Sequence, residues 1–492
     1  MNHSDHEKHD LEALAVRAMR ERGLKPEFSP AALDQLAAIT QLGEPHGGEV
    51  RDLTDLLWCS IDNDDSRDLD QLTVSEVLPG GAVRILVAIA DVDALVRKDT
   101  PIDQHARHNT TSVYTSAVIF PMLPEKLSTD LTSLNPDGPR LAMVTDMSFQ
   151  PDGSMSASSI YRARVHNKAK LAYDSVSAWI DGDGPLPPAA AAVPGMDQQL
   201  RTQDSIAQQL RACRREQGAL EFQTFQPKAV FDGEKVIEIR QQVQNRARQL
   251  IEEFMIATNG VTARFLAAHR RPSLRRVVRS PERWLKIVAV AAEYNETLPE
   301  EPDALALENF LAKRRKLDPE RFPDLSLTII KLMGAGEYVV EVPGGPKLGH
   351  FGLAVRDYSH STAPNRRFPD LVTARLLKAT LKEQPAPYSI DELASLATHC
   401  TRQEGAANKV ERQMRKSEAA LVLDKYLGEI FDGIVTGSSN GNTWVRIFLP
   451  PAEGKLLVAA GDRVKVGERV RARLLSTDVE RGFIDFELVC QS

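Results

Sequence analysis

The chain reads Ser60-Ile-Asp-Asn-Asp-Asp-Ser-Arg-Asp-Leu-Asp-Gln71, and this segment is the most informative stretch of the sequence. Its five carboxylates fall within nine residues and are offset only by Arg67; they belong to Asp62, Asp64, Asp65, Asp68 and Asp70. Such crowding disfavours the charged state of each carboxylate unless a cation is bound nearby. Hard oxygen ligands of this kind suit Mg²⁺ or Mn²⁺. The segment therefore predicts either a divalent-metal site or, as the plainer alternative, a solvated acidic turn.

The residues that follow the acidic segment predict a β-hairpin. Apolar residues alternate over 72–78 and again over 83–89, on either side of a Pro-Gly-Gly turn. Residues two apart on an extended segment point the same way, so Asp68 and Asp70 would share one face, and Asp62 could close on them across a short loop. That arrangement can hold two metal ions ~3.5–4 Å apart, as phosphoryl-transfer sites do. A calcium loop of the EF-hand type is excluded, because the glycine and glutamate that it requires are missing.

Composition places the chain among ordinary globular proteins. Its 492 residues suit about three domains of ~150 residues each. The formal net charge of −7 excludes a generally basic nucleic-acid coat protein but not a local basic channel. No apolar run approaches the ~18 residues of a membrane helix, the N-terminus has no apolar core, and the four cysteines lie far apart. We therefore expect a cytoplasmic protein without a membrane partner.

Helical and strand patterns divide the chain unevenly. The first fifty residues predict two short helices, with Ser29-Pro30 starting the second, as either a helix-turn-helix or a packed arm. Long helical patterns follow at 198–217, 246–269, 281–294 and 390–425, and the Pro- and Ala-rich stretch 181–195 indicates an exposed loop. The last 65 residues return to short strands punctuated by glycine, which is typical of a small β-barrel.

An ordered set of motifs extends over most of the chain. It comprises Val87-Ala-Ile-Ala-Asp91, Thr110-Thr-Ser-Val-Tyr114, Asn167-Lys-Ala-Lys-Leu-Ala-Tyr173, Leu250-Ile-Glu-Glu-Phe-Met-Ile-Ala-Thr-Asn259, His350-Phe-Gly-Leu and Ala363-Pro-Asn-Arg366-Arg-Phe-Pro-Asp370, in addition to the acidic segment. In order and spacing these motifs resemble the catalytic domain of the ribonuclease II (RNB) family over roughly residues 55–425. The stretch from Gly428 to Phe486 is similar to the RNA-binding OB-fold that closes the chains of this family.

The resemblance implies an α+β fold in three parts. These are a helical N-terminal segment over residues 1–50, an RNB-type catalytic domain of mixed sheets and helices over 51–425, and an OB-fold RNA-binding domain over 426–492. Full-size family members carry cold-shock domains before the catalytic domain, and fifty helical residues cannot encode them, so the chain is expected to be a short form. The implied activity is processive 3′→5′ hydrolysis of single-stranded RNA to nucleoside 5′-monophosphates by a monomer that uses Mg²⁺, with Mn²⁺ as an alternative.

The resemblance also implies roles for individual residues. Asp62, Asp68 and Asp70 match three of the four catalytic aspartates and would hold the metal. Arg366 matches the catalytic arginine, whose guanidinium can donate two parallel hydrogen bonds to phosphate oxygens. The remaining matches are RNA-binding residues: Tyr114 and Phe222 for the aromatic clamp on terminal bases, and Tyr173 and Glu252 for the ribose near the cleaved bond.

Three positions depart from the family pattern. Gln71 stands at the fourth aspartate, where its carbonyl can ligate Mg²⁺ but brings no charge, so weaker metal binding is expected. Ala363 and Asn365 replace a serine and an aliphatic residue beside the arginine. Gln71 leaves open a catalytically weakened or inactive RNA-binding protein on the same fold, and a phosphodiesterase acting on short or DNA substrates is a further alternative. Basic residues cluster at 264–286, at 402–416 and in the last barrel, and they predict an RNA path.

Overall fold

The computed structural model describes residues 7–40, 49–223, 227–233, 235–241, 244–346, 348–439, 442–458 and 464–491. Its helices are α1 Glu7–Glu21, α2 Pro30–Ala38, α3 Pro101–Asn109, α4 Tyr173–Asp181, α5 Pro188–Ala191, α6 Met196–Glu216, α7 Arg246–Ala268, α8 Trp284–Glu293, α9 Ala304–Leu317, α10 Phe322–Met333, α11 Phe368–Leu381 and α12 Ile390–Asp424. Its strands are β1 Arg51–Asp52, β2 Cys59–Asp62, β3 Gln71–Val77, β4 Val83–Ala90, β5 Val113–Tyr114, β6 Ile119–Phe120, β7 Arg140–Phe149, β8 Met155–Val165, β9 Ala169–Ala172, β10 Pro227–Asp232, β11 Lys235–Gln241, β12 Ser273–Val277, β13 Glu337–Glu341, β14 Ile430–Ser439, β15 Asn442–Ile447, β16 Ala452–Leu457, β17 Arg469–Asp478 and β18 Phe483–Gln491. The fold is thus mixed α+β, as the sequence predicted.

A seven-stranded sheet carries the acidic segment between its fifth and sixth strands. The strand order is β1-β8-β7-β4-β3-β2-β9, in which the β1–β8 and β2–β9 pairs are parallel and the others antiparallel. The predicted hairpin is confirmed: β3 pairs with β4 from Gln71↔Ile89 to Val77↔Val83. Gly80 and Gly81 turn the chain between them with φ of 82° and 85°, a region that residues with a Cβ rarely adopt. The acidic segment is the connection from β2 to β3.

Helices cover the sheet and bury its apolar residues. β4 is buried from Ile85 to Ala90, because both faces of this central strand are covered. Helices α6, α7 and α11 contribute to the same core, whose largest side chains include Trp58, Phe149, Phe254 and Phe368. A separate small core lies within α8, α9 and α10. The long α12 contacts α11, β12 and β13 and also reaches β16, β17 and β18 near the C-terminus.

The C-terminal strands close into a five-stranded barrel, in the order β14-β15-β16-β18-β17. The predicted small barrel is therefore confirmed. Its core continues into the end of α12 and into α1, which buries Leu11, Leu14, Ala15 and Met19. No helix within the described residues is long and apolar enough to cross a membrane.

The two N-terminal helices begin where the sequence predicts and pack on different partners. Ser29 caps α2 by accepting a 3.2 Å hydrogen bond from the N–H of Ala32. Helix α1 contacts α12 and β11, whereas α2 contacts α3. The apolar stripe of the second helix continues in the sequence toward Gly43, but α2 ends at Ala38, where Ile39 is extended; residues 41–48 lie outside the described residues. The stretch 181–195 is not wholly a loop, because it contains α5, whose Ala190 is buried.

Candidate active site

One pocket of about 380 Å³ brings together eight of the nine predicted site residues. They are Asp62, Asp68, Asp70, Gln71, Tyr114, Tyr173, Glu252 and Arg366. The β2–β3 connection, β5, α4, α7 and the loop before α11 each supply part of the lining. The ninth residue, Phe222, lines a neighbouring cavity of about 300 Å³ that shares Glu252 with the first.

The β2–β3 connection is fixed by hydrogen bonds at both ends. Asp62 ends β2, and its Oδ1 accepts from the N–H of Asn63 at 2.7 Å and the hydroxyl of Ser66 at 3.0 Å. Further along, Leu69 is buried, and its N–H donates to the hydroxyl of Ser133 at 2.9 Å. Because Leu69 enters the core, the carboxylates before and after it are left to line the pocket, which is the arrangement that their spacing of two predicts.

Asp70 is the most deeply buried carboxylate of the pocket, at 3% exposure. Burial raises its pKa to about 7, even though the charge of Arg366 and the N–H of Asn365 both favour the ionised form. Burial also raises the pKa of Asp68, with a further contribution from the charge of Asp62. The pocket therefore disfavours the accumulation of negative charge unless a cation enters it.

The loop before α11 holds one arginine internally and directs the other to the pocket. The buried carboxylate of Asp370 accepts from the N–H of Ala363 at 2.8 Å and from Nε and Nη2 of Arg367 at 2.9 and 2.7 Å. Arg366 is oriented differently: its side chain is 44% exposed, and its Nε lies 3.6 Å from Oδ2 of Asp70. Arg367 therefore shapes the loop, and Arg366 is the arginine that a ligand can reach.

Asn365, one of the departures noted in the sequence, is built into this loop. It is 1% exposed, and its Oδ1 accepts a 2.6 Å hydrogen bond from the hydroxyl of Thr132. Its backbone N–H donates to Oδ1 of Asp70 at 3.0 Å. A buried amide is tolerated when it is hydrogen-bonded, so Thr132 compensates for the loss of an apolar side chain at this position.

The predicted ribose and base contacts occupy the walls of the pocket. Tyr114 is 38% exposed, and its hydroxyl donates to Oδ2 of Asp68 at 3.2 Å. Tyr173 begins α4, and burial together with the charge of Asp62 raises the pKa of its phenol. Glu252 lies in the second turn of α7, and burial raises its pKa as well. Two phenols and one carboxyl thus surround the carboxylate cluster.

Arg248 is a pocket residue that the sequence reasoning missed. Its guanidinium lies 4.4 Å from the centre of the Tyr173 ring, and its Nη2 donates to Oδ1 of Asn63 at 2.7 Å. Asn245 caps α7 by accepting from the N–H of Arg248, so this arginine lies one turn before Glu252. Residues four apart share a helix face. The sequence predicted a helix over 246–269 and a role for Glu252. Arg248 lies one turn earlier on the same face of that helix, so these two predictions could have identified it.

Phe222 lies apart from the carboxylate cluster. It is partly buried and packs against the small core of α8, α9 and α10. In the neighbouring cavity it is close to the paired Arg214 and Glu253, whose Nε and Oε2 are 2.8 Å apart. The structure therefore places the two predicted clamp residues, Tyr114 and Phe222, in adjoining cavities.

Two arginines of the basic stretch 264–286 are held in internal ion pairs. Arg275 is 1% exposed and its Nη2 lies 2.7 Å from Glu341. Arg276 pairs with Glu404 of α12 at 2.7 Å. These two arginines are therefore unlike the rest of the predicted RNA path, because their charges are paired within the protein.

The donor chemistry of the pocket fits a hard divalent cation. Three aspartate carboxylates and the amide of Gln71 line it together, and the buried carboxyl of Asp70 has its pKa raised. Within the described ranges, no three His, Cys, Asp or Glu side chains are close enough to form a finished ligand set. The residues that would hold the ion are therefore Asp62, Asp68, Asp70 and Gln71, by their chemistry and their shared pocket.

Two family models match the chain. The RNB domain matches residues 50–383, and the RNase II-type exonuclease C-terminal S1 domain matches residues 429–489. Among curated proteins, Ribonuclease R of Escherichia coli (strain K12) is 31% identical over 94% of this chain, and Ribonuclease R of Vibrio cholerae is 30% identical over 96%. The chain spans about 60% of the length of these two relatives.

Solved structures share the fold at lower identity. Mycoplasma genitalium RNase R in complex with ribose-methylated single-stranded RNA superposes with a TM-score of 0.88 at 23% identity, over 99% of this chain and 78% of that chain. Yeast Ssd1, described as a pseudonuclease, gives 0.70 at 15% identity, over 95% and 59%. The same fold therefore occurs in proteins described as nucleases and in one described as a pseudonuclease.

Proposed function

Because the chain belongs to the RNB family, we propose that it is a processive 3′→5′ exoribonuclease that hydrolyses single-stranded RNA to nucleoside 5′-monophosphates. One observation carries the proposal: Asp62, Asp68, Asp70 and Arg366, from two distant parts of the sequence, line a single pocket. Its volume of about 380 Å³ lies in the range of small-ligand sites and suits one terminal nucleotide. The names of the relatives support the same activity.

Arg366 and Asp70 are proposed to act on the phosphate that is cleaved. The exposed guanidinium of Arg366 donates to the non-bridging oxygens and stabilises the charge that grows on them in the transition state. The attacking water forms a bond to phosphorus, and the bond from phosphorus to the 3′ oxygen of the shortened RNA breaks. Asp70, ionised when a cation is bound, can orient the water and accept the proton that the water loses, and the 3′ oxygen that leaves takes up a proton from solvent.

A divalent cation is the cofactor that this donor set would hold. Asp62, Asp68 and Asp70 would supply carboxylate oxygens, and Gln71 an uncharged carbonyl oxygen. When bound, Mg²⁺ or Mn²⁺ would polarise the water and offset negative charge on the phosphate. The chain's own contribution is to keep these oxygens together and oriented while bulk water is largely displaced.

Tyr173 and Glu252 are proposed to read the ribose. Both line the pocket, and both have raised pKa values, so at neutral pH the phenol keeps its proton to donate. A 2′-hydroxyl can both donate and accept, and such contacts distinguish RNA from DNA. Tyr114, with its exposed ring, would stack a base at the mouth, and Phe222 a base in the adjoining cavity.

The predicted three-part division belongs to the same proposal. We assign an N-terminal helical segment to residues 1–50, the catalytic domain to 51–425 and an RNA-binding OB-fold domain to 426–492. The closed barrel of β14–β18 and the S1-type match over residues 429–489 support the last assignment. We further propose a monomer that acts in the cytoplasm.

A second candidate is an RNA-binding protein that has lost hydrolysis through Gln71. The experiment that separates the two uses a 3′-labelled single-stranded oligoribonucleotide, incubated with Mg²⁺ or with EDTA. The exoribonuclease releases labelled nucleoside 5′-monophosphate only with Mg²⁺. A binder shifts the oligomer in a gel and releases nothing, and that outcome would overturn the proposed activity.

A DNA oligomer of the same sequence tests the remaining alternative, a phosphodiesterase that acts on short or DNA substrates. Hydrolysis of RNA and DNA at similar rates would indicate a general phosphodiesterase rather than a ribose-reading enzyme. The proposed contacts at Tyr173 and Glu252 require that the RNA oligomer be cleaved much faster than the DNA oligomer.

A further inference from the structure

A second cationic cavity lies at the far end of α11 from the candidate active site. Its volume is about 390 Å³, close to that of the catalytic pocket. Of the twelve described residues that line it, Asp93 alone is acidic and six are cationic: Arg97, Lys98, Arg162, Arg375, Lys378 and Lys382. The 14-residue α11 is about 20 Å long at 1.5 Å per residue; Arg366 of the first pocket precedes it, whereas Lys378 and Lys382 of this cavity lie at its C-terminal end. No function assigned above uses this cavity.

The floor of the cavity is a rigid, charge-balanced network. It consists of three cations whose side chains are at most 9% exposed: Arg162, Arg375 and Lys378. Lys378 Nζ lies 2.8 Å from Asp91 and 2.9 Å from Asp93. Arg162 also reaches Asp91, at 3.0 Å, and Arg375 reaches Asp93 and Asp103, each at 2.8 Å. The carboxylates of Asp91, Asp93 and Asp103 thus balance the charges of the three cations. The same contacts fix the position of each cation at the floor of the cavity.

The rim adds three more cations to those of the floor. Lys98 is offset by Glu392 at 3.2 Å and Asp99 at 3.6 Å, and it lies 4.6 Å from the centre of the Tyr388 ring. Arg97 and Lys382 add two further cations at the opening. Partial burial lowers the pKa of Lys382, and repulsion from Arg162, Lys378 and Arg97 lowers it further. An anion in the cavity would relieve that repulsion.

We propose that this cavity binds a small phosphate-bearing anion, with Arg97 and Lys382 closing on the phosphate above the fixed floor. The remaining lining is Ala94, Ala379, Gln384, Pro385 and Pro387. None of the described lining residues is aromatic, so the cavity offers no stacking surface for successive bases and is unlike a single-strand path. Free phosphate or pyrophosphate and a nucleoside 5′-monophosphate share the chemistry that these cations recognise. The inference does not depend on the proposed ribonuclease activity.

The test is isothermal titration of the full chain with inorganic pyrophosphate, in EDTA to exclude divalent cations. Arg366→Ala removes the exposed cation of the catalytic pocket, whereas Arg97→Glu/Lys382→Glu inverts the rim of the cavity. Lys316→Glu/Lys331→Glu changes the charge equally at two exposed lysines that line neither pocket. A parallel titration with adenosine 5′-monophosphate shows whether a nucleoside adds to the affinity of the phosphate.

We expect pyrophosphate binding to persist in Arg366→Ala and in the lysine control, and to weaken at least tenfold in Arg97→Glu/Lys382→Glu. Thermal unfolding without anion checks that the rim variant is folded, and Arg97→Gln provides a milder change if it is not. No measurable binding to the parental chain, equal binding in the rim variant, or loss of binding in Arg366→Ala overturns the proposal. Weaker RNA binding with unchanged pyrophosphate affinity would instead assign the rim to an RNA path.

Discussion

The backbone N–H of Asn365 donates a 3.0 Å hydrogen bond to Oδ1 of Asp70, which joins the arginine loop to the acidic segment. The next residue, Arg366, places its Nε 3.6 Å from the other carboxylate oxygen. One carboxylate therefore sets the position of the loop and faces the arginine proposed to bind phosphate. A substitution that keeps the shape of Asp70 but removes its charge should preserve the fold of this junction while changing its chemistry.

The first prediction is that Asp70→Asn abolishes RNA hydrolysis while RNA binding stays nearly intact. An amide oxygen can still accept from Asn365, but it cannot take a proton or offset a cation, and we expect the rate to fall by about 10²-fold or more. Single-turnover hydrolysis and RNA affinity are measured on the same preparation. Asp64→Asn is the matched control, because Asp64 is exposed and does not line the pocket. A parental rate in Asp70→Asn would show that the metal and proton roles are misassigned.

The acidic segment could be identified from the sequence because its residues are close together in the chain. The residues that contact it come from distant parts of the chain and could not be identified in this way. The spacing of Asp68 and Asp70 and the hairpin that follows predict a shared face, and the structure has it. The hydrogen bond to Asn365 spans 295 positions and depends on how α11 packs, which no local pattern contains. The paired state of Arg275 is also tertiary, since its partner Glu341 comes from β13. The family resemblance, through the order of the motifs, identified Arg366 although it is distant in the sequence. It did not identify Arg248.

The second prediction concerns Arg248, which stacks on Tyr173 and adds a positive charge to the pocket. We expect Arg248→Ala to raise the KM for RNA by about tenfold with a smaller change in kcat, because a stacked guanidinium positions phosphate without entering the bond-breaking step. Arg201→Ala removes a similar stacking contact, 4.3 Å from the centre of the Trp179 ring and outside the pocket, and should change neither constant. A fall in kcat alone would assign Arg248 to the chemical step instead.

The third prediction tests how the pocket distinguishes RNA from DNA. Tyr173→Phe removes a hydroxyl that can reach the ribose, and Glu252→Gln removes a carboxyl of the same wall. Each should slow RNA hydrolysis by about 10- to 100-fold and leave the slow background on DNA unchanged, since a lost hydrogen bond to a 2′-hydroxyl affects RNA only. Tyr294→Phe, in the separate core of α8–α10, serves as the control. Equal losses on RNA and DNA would contradict a ribose contact.

The fourth prediction is a pH dependence of stability that arises at His105. This histidine is 5% exposed, its ring lies 4.1 Å from that of Phe28, and burial with the nearby charge of Lys25 lowers its pKa to about 4. An unfolded histidine takes up a proton near pH 6.5, whereas the folded one does not until about pH 4, so the free energy of unfolding falls as the pH drops through this window. The loss is of the order of 3 kcal/mol.

Chemical denaturation at pH 7, 5.5 and 4.5 measures this dependence. His105→Gln should be less stable at pH 7 and should lose less stability on acidification. The exposed His9→Gln should follow the parental profile, because its side chain is 75% exposed. Parallel profiles for His105→Gln and the parental chain would exclude His105 as the source.

The last prediction restores the charge that Gln71 lacks. Gln71 begins β3 beside Asp70 and is only 8% exposed, so a carboxylate at this position would lie in a pocket that already raises the pKa of its neighbours. Without a cation, Gln71→Asp should destabilise the fold by about 1–3 kcal/mol, because a further charge is buried without a partner. With Mg²⁺ or Mn²⁺ it should regain that stability and hydrolyse RNA at metal concentrations at least tenfold lower. Gln71→Asn changes the size equally without the charge, so the same metal dependence in both variants would show that residue 71 does not contribute to holding the ion.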